Sequence, residues 1–130
     1  MNDNHVGTEL QTLALVPMAD ITETTTGTGI DVTDYVGSIA VVLSAKNVAG
    51  TSPTLIVKLQ DSADNDTFAD ITGAVFTTVT AAGTKASTLQ KISVNIDGAA
   101  KYLRAVATVG GTVSPEFLLS CTAVGVKQYR

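Results

Sequence analysis

The sequence predicts an all-β fold, namely a single-domain antiparallel β-sandwich or jelly-roll-like barrel of about eight short strands. Three observations predict it. The β-branched residues Val, Ile and Thr are abundant and suit a pleated sheet better than a helix. Apolar residues alternate with a period of two in several segments, and turn signals recur about every ten residues. No segment shows the sustained three-to-four-residue apolar spacing of a helix.

The composition is that of one small domain with an aliphatic core. The chain has 130 residues, of which 45% are hydrophobic, 15% charged and 5% aromatic, without tryptophan. This length fits one domain of ordinary size. Residues 1–9 are polar, so we predict a flexible N-terminal arm over 1–9 and a single β-domain over 10–130.

The first half of the chain opens with a strand and a polar loop. Residues 10–18 are predicted to form a strand with a proline near its end, which suits an edge. Residues 22–29 are Thr- and Gly-rich and are predicted to be a loop or a ragged edge strand. Residues 38–46 alternate and are apolar on both faces, so a central strand is expected. Turn residues at 47–53 lead to the alternating segment 54–60, which predicts a hairpin.

The second half continues the pattern of short strands and turns. Residues 68–71 and 74–79 are predicted as two short strands around a Thr-Gly turn. Residues 88–96 form a further strand, which Asp97-Gly98 is expected to connect by a tight turn to a partner strand over 101–109. Gly110-Gly111 is predicted to turn again before the last strand, 117–126. The apolar faces expected to build the core lie in residues 39–43, 55–59, 92–96, 103–109 and 117–126.

The charges argue against a broad nucleic-acid-binding face, since 8 basic against 12 acidic residues give a net charge of −4. They are also unevenly placed along the chain. Residues 1–70 hold ten acids and two bases, and residues 71–130 hold two acids and six bases. This asymmetry is either scatter over solvated faces or a sign that acidic and basic surfaces of two molecules meet.

Cys121 is the single cysteine, which excludes an intramolecular disulfide and favours synthesis in a reducing compartment. The N-terminus lacks the basic and apolar regions of a signal peptide, and no apolar run approaches the roughly 18–20 residues that span a bilayer. A soluble protein made in a cytoplasm, without a membrane partner, is expected.

The sequence offers no catalytic constellation, so we expect no enzymatic activity and no cofactor. His5 is the only histidine and falls in the N-terminal arm, away from any nucleophile that it could activate. Cys121 lies within an apolar strand and is interpreted as a small core residue. The glycine pairs lack the helix that a phosphate-binding loop requires.

The stretch 61–70 places four aspartates and an asparagine directly after a strand. Asp and Asn bond their own backbone in turns, so a polar turn is the favoured interpretation. Oxygen ligands of this kind also suit calcium, which makes Asp61, Asp64 and Asp66 a weak candidate metal site. Their spacing does not match an EF-hand loop.

Residues 57–71, followed by Tyr102-Leu-Arg-Ala-Val-Ala-Thr-Val-Gly-Gly-Thr112 and a final apolar strand, resemble small virion structural proteins of tailed bacteriophages. In that pattern a strand ends in Gln-x-Ser, an acidic turn leads to Thr-Phe, and a later strand carries Tyr-Leu-Arg-Ala. The similarity covers roughly residues 35–126 and is greatest to capsid decoration proteins, also called cement or head-stabilising proteins.

The resemblance implies a β-sandwich that is made in the bacterial host cytoplasm and sits on the outer capsid surface of the virion. Its partner would be the major capsid protein of the same phage, with self-association as a homo-oligomer also open. Candidate partner-binding residues, chosen for position and exposure, are Asn4, His5, Thr24, Thr26, Lys127 and Arg130. Two alternatives stay open: a tail, neck or fibre component of the virion, and a carbohydrate- or cell-surface-binding module.

Overall fold

The computed structural model describes residues 10–80, 87–96 and 101–127. Within these ranges all regular structure is antiparallel β, which confirms the predicted fold class. The strands are β1 (Leu10–Ile21), β2 (Thr25–Thr26), β3 (Ile30–Asp31), β4 (Tyr35–Ser62), β5 (Ala69–Val75), β6 (Val79–Thr80), β7 (Ser87–Asn95) and β8 (Tyr102–Lys127). The described part of the chain contains no helix of the length and apolarity needed to cross a bilayer.

Two long strands organise the whole fold. β4 and β8 pair along their entire length, from Tyr35 opposite Lys127 to Ser62 opposite Tyr102. β1 joins the C-terminal part of β8 and β7 joins the N-terminal part of β4, so one half of the sheet has the order β1-β8-β4-β7. We call this half I. In half II, β2 and β3 pair with the N-terminal part of β8, and β5 and β6 pair with the C-terminal part of β4.

The β4–β8 ribbon bends sharply where the two halves meet. Pairing between β4 and β8 shifts register three times from Asn47 to Thr54. Gly50 and Gly111 have φ angles of 114° and 118°. A Cβ at Gly50 would lie 2.6 Å from Pro115 Cα, and one at Gly111 would lie 2.8 Å from Pro53 Cα. The two backbones therefore touch at this corner, where a side chain has no room.

A buried amide holds the corner. Asn47 Nδ2 donates to the carbonyl oxygens of Ala49, at 2.9 Å, and Glu116, at 3.1 Å. These bonds join the bent segments of β4 and β8 where the sheet pairing is interrupted. Because Asn47 is buried, its amide needs such partners and is stabilised by them.

The bend brings the apolar faces of the two halves together as one core. Inward residues of half I include Ile39, Val41, Leu43, Leu119 and Cys121, and those of half II include Leu55, Val57, Leu59, Leu103 and Ala105. All of these positions fall within the core segments expected from the sequence. The core also contains residues outside those segments, namely Leu15, Val16, Ile21, Val32, Ala45, Ala74, Phe76 and Val79. The alternation of apolar residues therefore identified most of the buried faces.

Contacts between the halves close both sides of the sandwich. On one side, the Gln90 side chain bonds the backbone of Thr77 twice, accepting from its N–H at 2.9 Å and donating to its carbonyl at 3.0 Å. On the other side, Gly27 follows β2 in half II, where its N–H donates to Ala105 O at 2.8 Å, and a Cβ at Gly27 would collide with the carbonyl of Leu15 in half I. The result is a closed sandwich with jelly-roll strand order.

The predicted hairpin of residues 38–46 and 54–60 is wrong. Both segments belong to the single strand β4, and each pairs with a different part of β8. The turn residues between them build the corner, because Gly50 and Ser52 take positive φ angles that bend the strand without reversing it. Gly110-Gly111 acts in the same way inside β8, where a turn was expected.

The predicted pairing of residues 88–96 with 101–109 is also wrong. β7 pairs with β4 in continuous register from Ser38 opposite Asn95 to Lys46 opposite Ser87, whereas residues 101–109 begin β8. Asp97-Gly98 lies outside the described residues. The turn predicted at Thr72-Gly73 between the strands 68–71 and 74–79 is wrong as well, because β5 runs through Gly73 as one strand and β6 follows separately. The proposed arm, residues 1–9, also lies outside the described ranges, and the division at residue 10 stays a prediction.

Val113 at the corner is expected to be a destabilising residue. It has a φ angle of 59° and is 73% exposed. A β-branched residue in this left-handed region is strained by about 1–2 kcal/mol, whereas asparagine tolerates it. We expect Val113→Asn to raise the free energy of unfolding by about 1 kcal/mol in urea denaturation. Val75→Asn, in the extended strand β5, should lower the free energy of unfolding. A lower free energy of unfolding in both variants would contradict the strain at Val113.

Candidate functional site

The acidic stretch forms a self-contained turn at the end of β4. Asp64 Oδ1 accepts hydrogen bonds from Ser62 Oγ at 2.8 Å and from the backbone N–H groups of Asp66 and Thr67, both at 2.9 Å. Ser62 Oγ accepts from the Asp64 N–H at 3.2 Å. Asn65 takes a left-handed φ of 60°, as the turn requires. The turn interpretation of residues 61–70 is therefore confirmed.

The turn lowers the pKa of the Asp64 carboxyl group below its ordinary value of 3.8. The main cause is the hydrogen bond from the Thr67 backbone, followed by those from Ser62 and the Asp66 backbone. Asp64 thus already has bonding partners in the turn. Across the described ranges, no group of three or more His, Cys, Asp or Glu side chains is placed to hold a metal ion. Calcium at Asp61, Asp64 and Asp66 stays a prediction.

Asp64 should make the stability depend on acid pH. Because its folded pKa is depressed, its contribution is present above the unfolded value of 3.8 and is lost as the pH falls through the folded pKa. Asp64→Asn should therefore lower the urea midpoint at pH 7, and the gap from wild type should narrow at pH 2–3. Asp66→Asn keeps every turn hydrogen bond and should follow wild type at both pH values. A difference in urea midpoint between Asp64→Asn and wild type that stays constant with pH would contradict this role.

A second short turn lies beside the first. Asp31 Oδ1 accepts from Thr33 Oγ1 at 2.6 Å and from Thr33 N at 2.9 Å, and these bonds lower the pKa of Asp31. Lys101 Nζ lies 3.8 Å from Asp31 Oδ2. Asp31 and Ser62 flank Tyr102 in half II, so both turns lie at the end of the sandwich opposite the corner. This end collects many of the described acidic residues.

A polar and aromatic network covers the outer face of half II next to the acidic turn. Arg104 Nε donates to Gln60 Oε1 at 2.8 Å, and the Arg104 guanidinium lies 3.8 Å from the centroid of the Phe68 ring. Gln60 Nε2 donates to Asp70 Oδ1 at 2.8 Å, and Lys58 Nζ lies 3.0 Å from the same oxygen. The pKa of Asp70 is lowered, first by Gln60 and then by Lys58.

This network was not predicted. The alternation of Lys58 and Gln60 with apolar neighbours indicates an outer face, but Arg104, the partner of Gln60, lies 44 residues from it in the sequence. The one available signal was the resemblance pattern. Gln60 and Ser62 come from its Gln-x-Ser element, Phe68 from Thr-Phe, and Arg104 from Tyr-Leu-Arg-Ala.

The candidate partner-binding residues that the structure describes lie in two places. Thr24 is exposed before β2, and Thr26 is exposed within β2 opposite Val106. Lys127 lies opposite Tyr35, in half I. Asn4, His5 and Arg130 lie outside the described residues. Gly29 lies so close to the Asn65 side chain that a Cβ there would collide with it. The loop 22–29 therefore lies against the acidic turn.

Cys121 is part of the core, as predicted. Its side chain is 0% exposed, and burial raises the pKa of the thiol to about 12. The thiol therefore stays protonated at neutral pH and is not activated as a nucleophile.

No protein-family model matches the chain, and no curated protein sequence matches it. Similar solved structures include the D431N mutant VP2 protein of infectious bursal disease virus in derived T=1 particles, with 12% identity and a TM-score of 0.48. The match covers 91% of this chain and 31% of that chain. A VP2 subviral particle of the same virus gives 10% identity and a TM-score of 0.44, covering 91% and 32%. This chain spans about a third of their length, and likeness at this level does not extend to function.

Proposed function

We propose that this chain is a virion structural protein of a tailed bacteriophage. In this proposal it binds the outer capsid surface, braces neighbouring major capsid subunits and catalyses no reaction. The observation that carries the proposal is the network of Gln60, Phe68 and Arg104. These residues come from separate elements of the phage-protein resemblance, and they meet in one contact unit. That meeting supports a resemblance in structure and not only in residue order.

The mechanism would be binding alone. The loop 22–29 lies against the internally bonded acidic turn, so little conformational entropy would be lost when this loop binds. Each copy could bind weakly and still remain on the particle, because many copies act together on a symmetric shell. The arm over residues 1–9 and the loop 22–29 are our first candidates for the contact, and residues 127–130 are the second.

Cosedimentation with expanded capsids that lack the protein tests this proposal. We expect saturable binding at a fixed ratio to the major capsid subunit, and a higher capsid melting temperature. Binding to no capsid, with elution of the free protein as a closed ring, would contradict decoration and favour a tail or neck component.

A matched pair of variants tests the contact surface. Thr26 and Thr80 are both exposed and both lie in two-residue edge strands, on opposite sides of half II. Thr26→Arg should weaken capsid binding by about tenfold or more, because a long charged side chain would prevent close approach. Thr80→Arg should bind like wild type. Equal binding by both variants would exclude β2 from the contact.

A further inference from the structure

The two outer faces of the sandwich differ sharply in chemistry. On half II, Lys58, Gln60, Asp70 and Arg104 bond one another, as expected for a face in water. On half I, the outward positions of β4 and β8 pair as Ala40 with Val124, Val42 with Thr122, and Ser44 with Ser120. These central positions carry small or apolar side chains and no charge. Such a face is suited to close packing against another surface.

The half I face also has a ridge at each side and a hollow between them. Met18 on the β1 side is 72% exposed and Leu89 on β7 is 75% exposed. Between them lies a hollow of about 230 Å³ that is lined by residues including Met18, Ser44, Leu118 and Ser120. Leu89 lies directly opposite Ser44, at the other side of the hollow from Met18. The face thus has a protruding apolar side chain at each side, Met18 and Leu89, and small side chains such as Ser44 and Ser120 between them.

The charges at the rim of this face are segregated by sign. Asp20 on β1 lies opposite Leu118. Lys46 lies opposite Leu118 from the other side, and Lys91 on β7 lies opposite Val42. The β1 side of the face therefore carries one acidic residue, and the β4 and β7 side carries two basic residues.

We propose that a second copy of this chain packs on the half I face about a two-fold axis parallel to the strands. Such an axis reverses the order β1-β8-β4-β7 in the second copy, so each β1 lies over the other copy's β7. Leu89 then meets Met18 of the second copy at each side of the small residues, so this contact occurs twice. The same surface of each copy thus contacts the other, as in an isologous dimer.

The same axis pairs the rim charges. In the dimer, Lys46 of the second copy faces the strand next to that of Asp20, so the two residues are offset by only one strand spacing, about 4.8 Å. Within one chain, Asp20 and Lys46 are separated by β8. The acidic side of each copy therefore covers the basic side of the other, which favours this register over one that aligns like charges. The inference does not depend on the capsid role, because it concerns the free protein.

Sedimentation equilibrium of the purified full chain, without capsids, tests the proposal. Wild type should approach twice the chain mass of 13.3 kDa as concentration rises. Leu89→Asp should raise the dimer dissociation constant by about tenfold or more, since Leu89 takes part in both apolar contacts between the copies. The control Val75→Asp changes a residue that is also apolar and exposed, at 51%, but lies in half II, and it should dimerise like wild type. A monomer at all concentrations, or equal effects of both variants, would overturn the proposal.

A charge exchange tests the register of the two copies. Asp20→Lys and Lys46→Asp should each weaken the dimer, because each places like charges together. The double variant Asp20→Lys with Lys46→Asp should restore most of the wild-type affinity. If the losses of dimer affinity in the two single variants simply add in the double variant, the two-fold arrangement is excluded, even if Leu89 contributes to self-association. Capsid binding by a chain that remains monomeric would leave the proposed function intact.

Discussion

Phe117→Ala is expected to lower the free energy of unfolding by about 3–5 kcal/mol, the range for truncating a buried phenylalanine. Phe117 is 0% exposed and lies between Ile21 in β1 and Asn47 in β4, just beyond the corner. Its ring thus fills the core where the ribbon begins to bend. A loss of this size is a large part of the stability of an ordinary domain, about 5–15 kcal/mol.

Urea denaturation of Phe117→Ala and Leu118→Ala measures this effect with a control in the next residue. Leu118 points to the outer face and is only partly buried, so its truncation should cost much less. Equal losses would show that the inward and outward faces of β8 are assigned wrongly.

Gly50→Ala is expected to destabilise the protein by several kcal/mol. Two costs add: a φ of 114° is unfavourable for alanine, by about 1–3 kcal/mol, and the new Cβ would lie 2.6 Å from Pro115 Cα. That neighbour is backbone, so relief requires the two strands to separate at the corner, and overpacking of this kind typically costs about 1–3 kcal/mol more.

Gly73→Ala is the matched control for the corner. Gly73 also has a positive φ, of 82°, but a Cβ there would have no atom within 4 Å. Its substitution should therefore show the conformational cost alone. The difference between the two variants in urea denaturation measures the close approach of β4 and β8. If both variants lose the same stability, the corner is not tightly packed.

The inward faces of the strands could be predicted because burial follows local alternation. Ile39, Val41 and Leu43 are all buried, as their period of two indicated. The acidic turn was predictable for the same reason, since every bond that builds it joins residues no more than three apart.

Strand partners could not be predicted, because the competing pairings have the same local signals. Residues 50–53, Gly-Thr-Ser-Pro, suit either a reversal or a bend. The bend occurs because β8 continues alongside β4 through the corner, and that pairing joins residues far apart in the sequence. Neighbouring segments often pair as hairpins, whereas jelly-roll folds pair distant strands.

The contacts of the candidate site were likewise non-local. The sequence near Gln60 does not indicate that Arg104 will lie beside it and Phe68. That proximity arises from the sheet pairing of Gln60 with Arg104. The exposed threonines at 24 and 26 were chosen from composition, and the structure places them in half II while Lys127 lies in half I.

The most direct test of the virion role is to separate the heads and tails of purified phage particles and to measure the copies of this chain in each by quantitative mass spectrometry. We expect the chain in the head fraction, at a fixed ratio to the major capsid protein, and open to surface labelling on intact particles. Its presence in tails alone, or its absence from particles, would contradict the capsid-surface role.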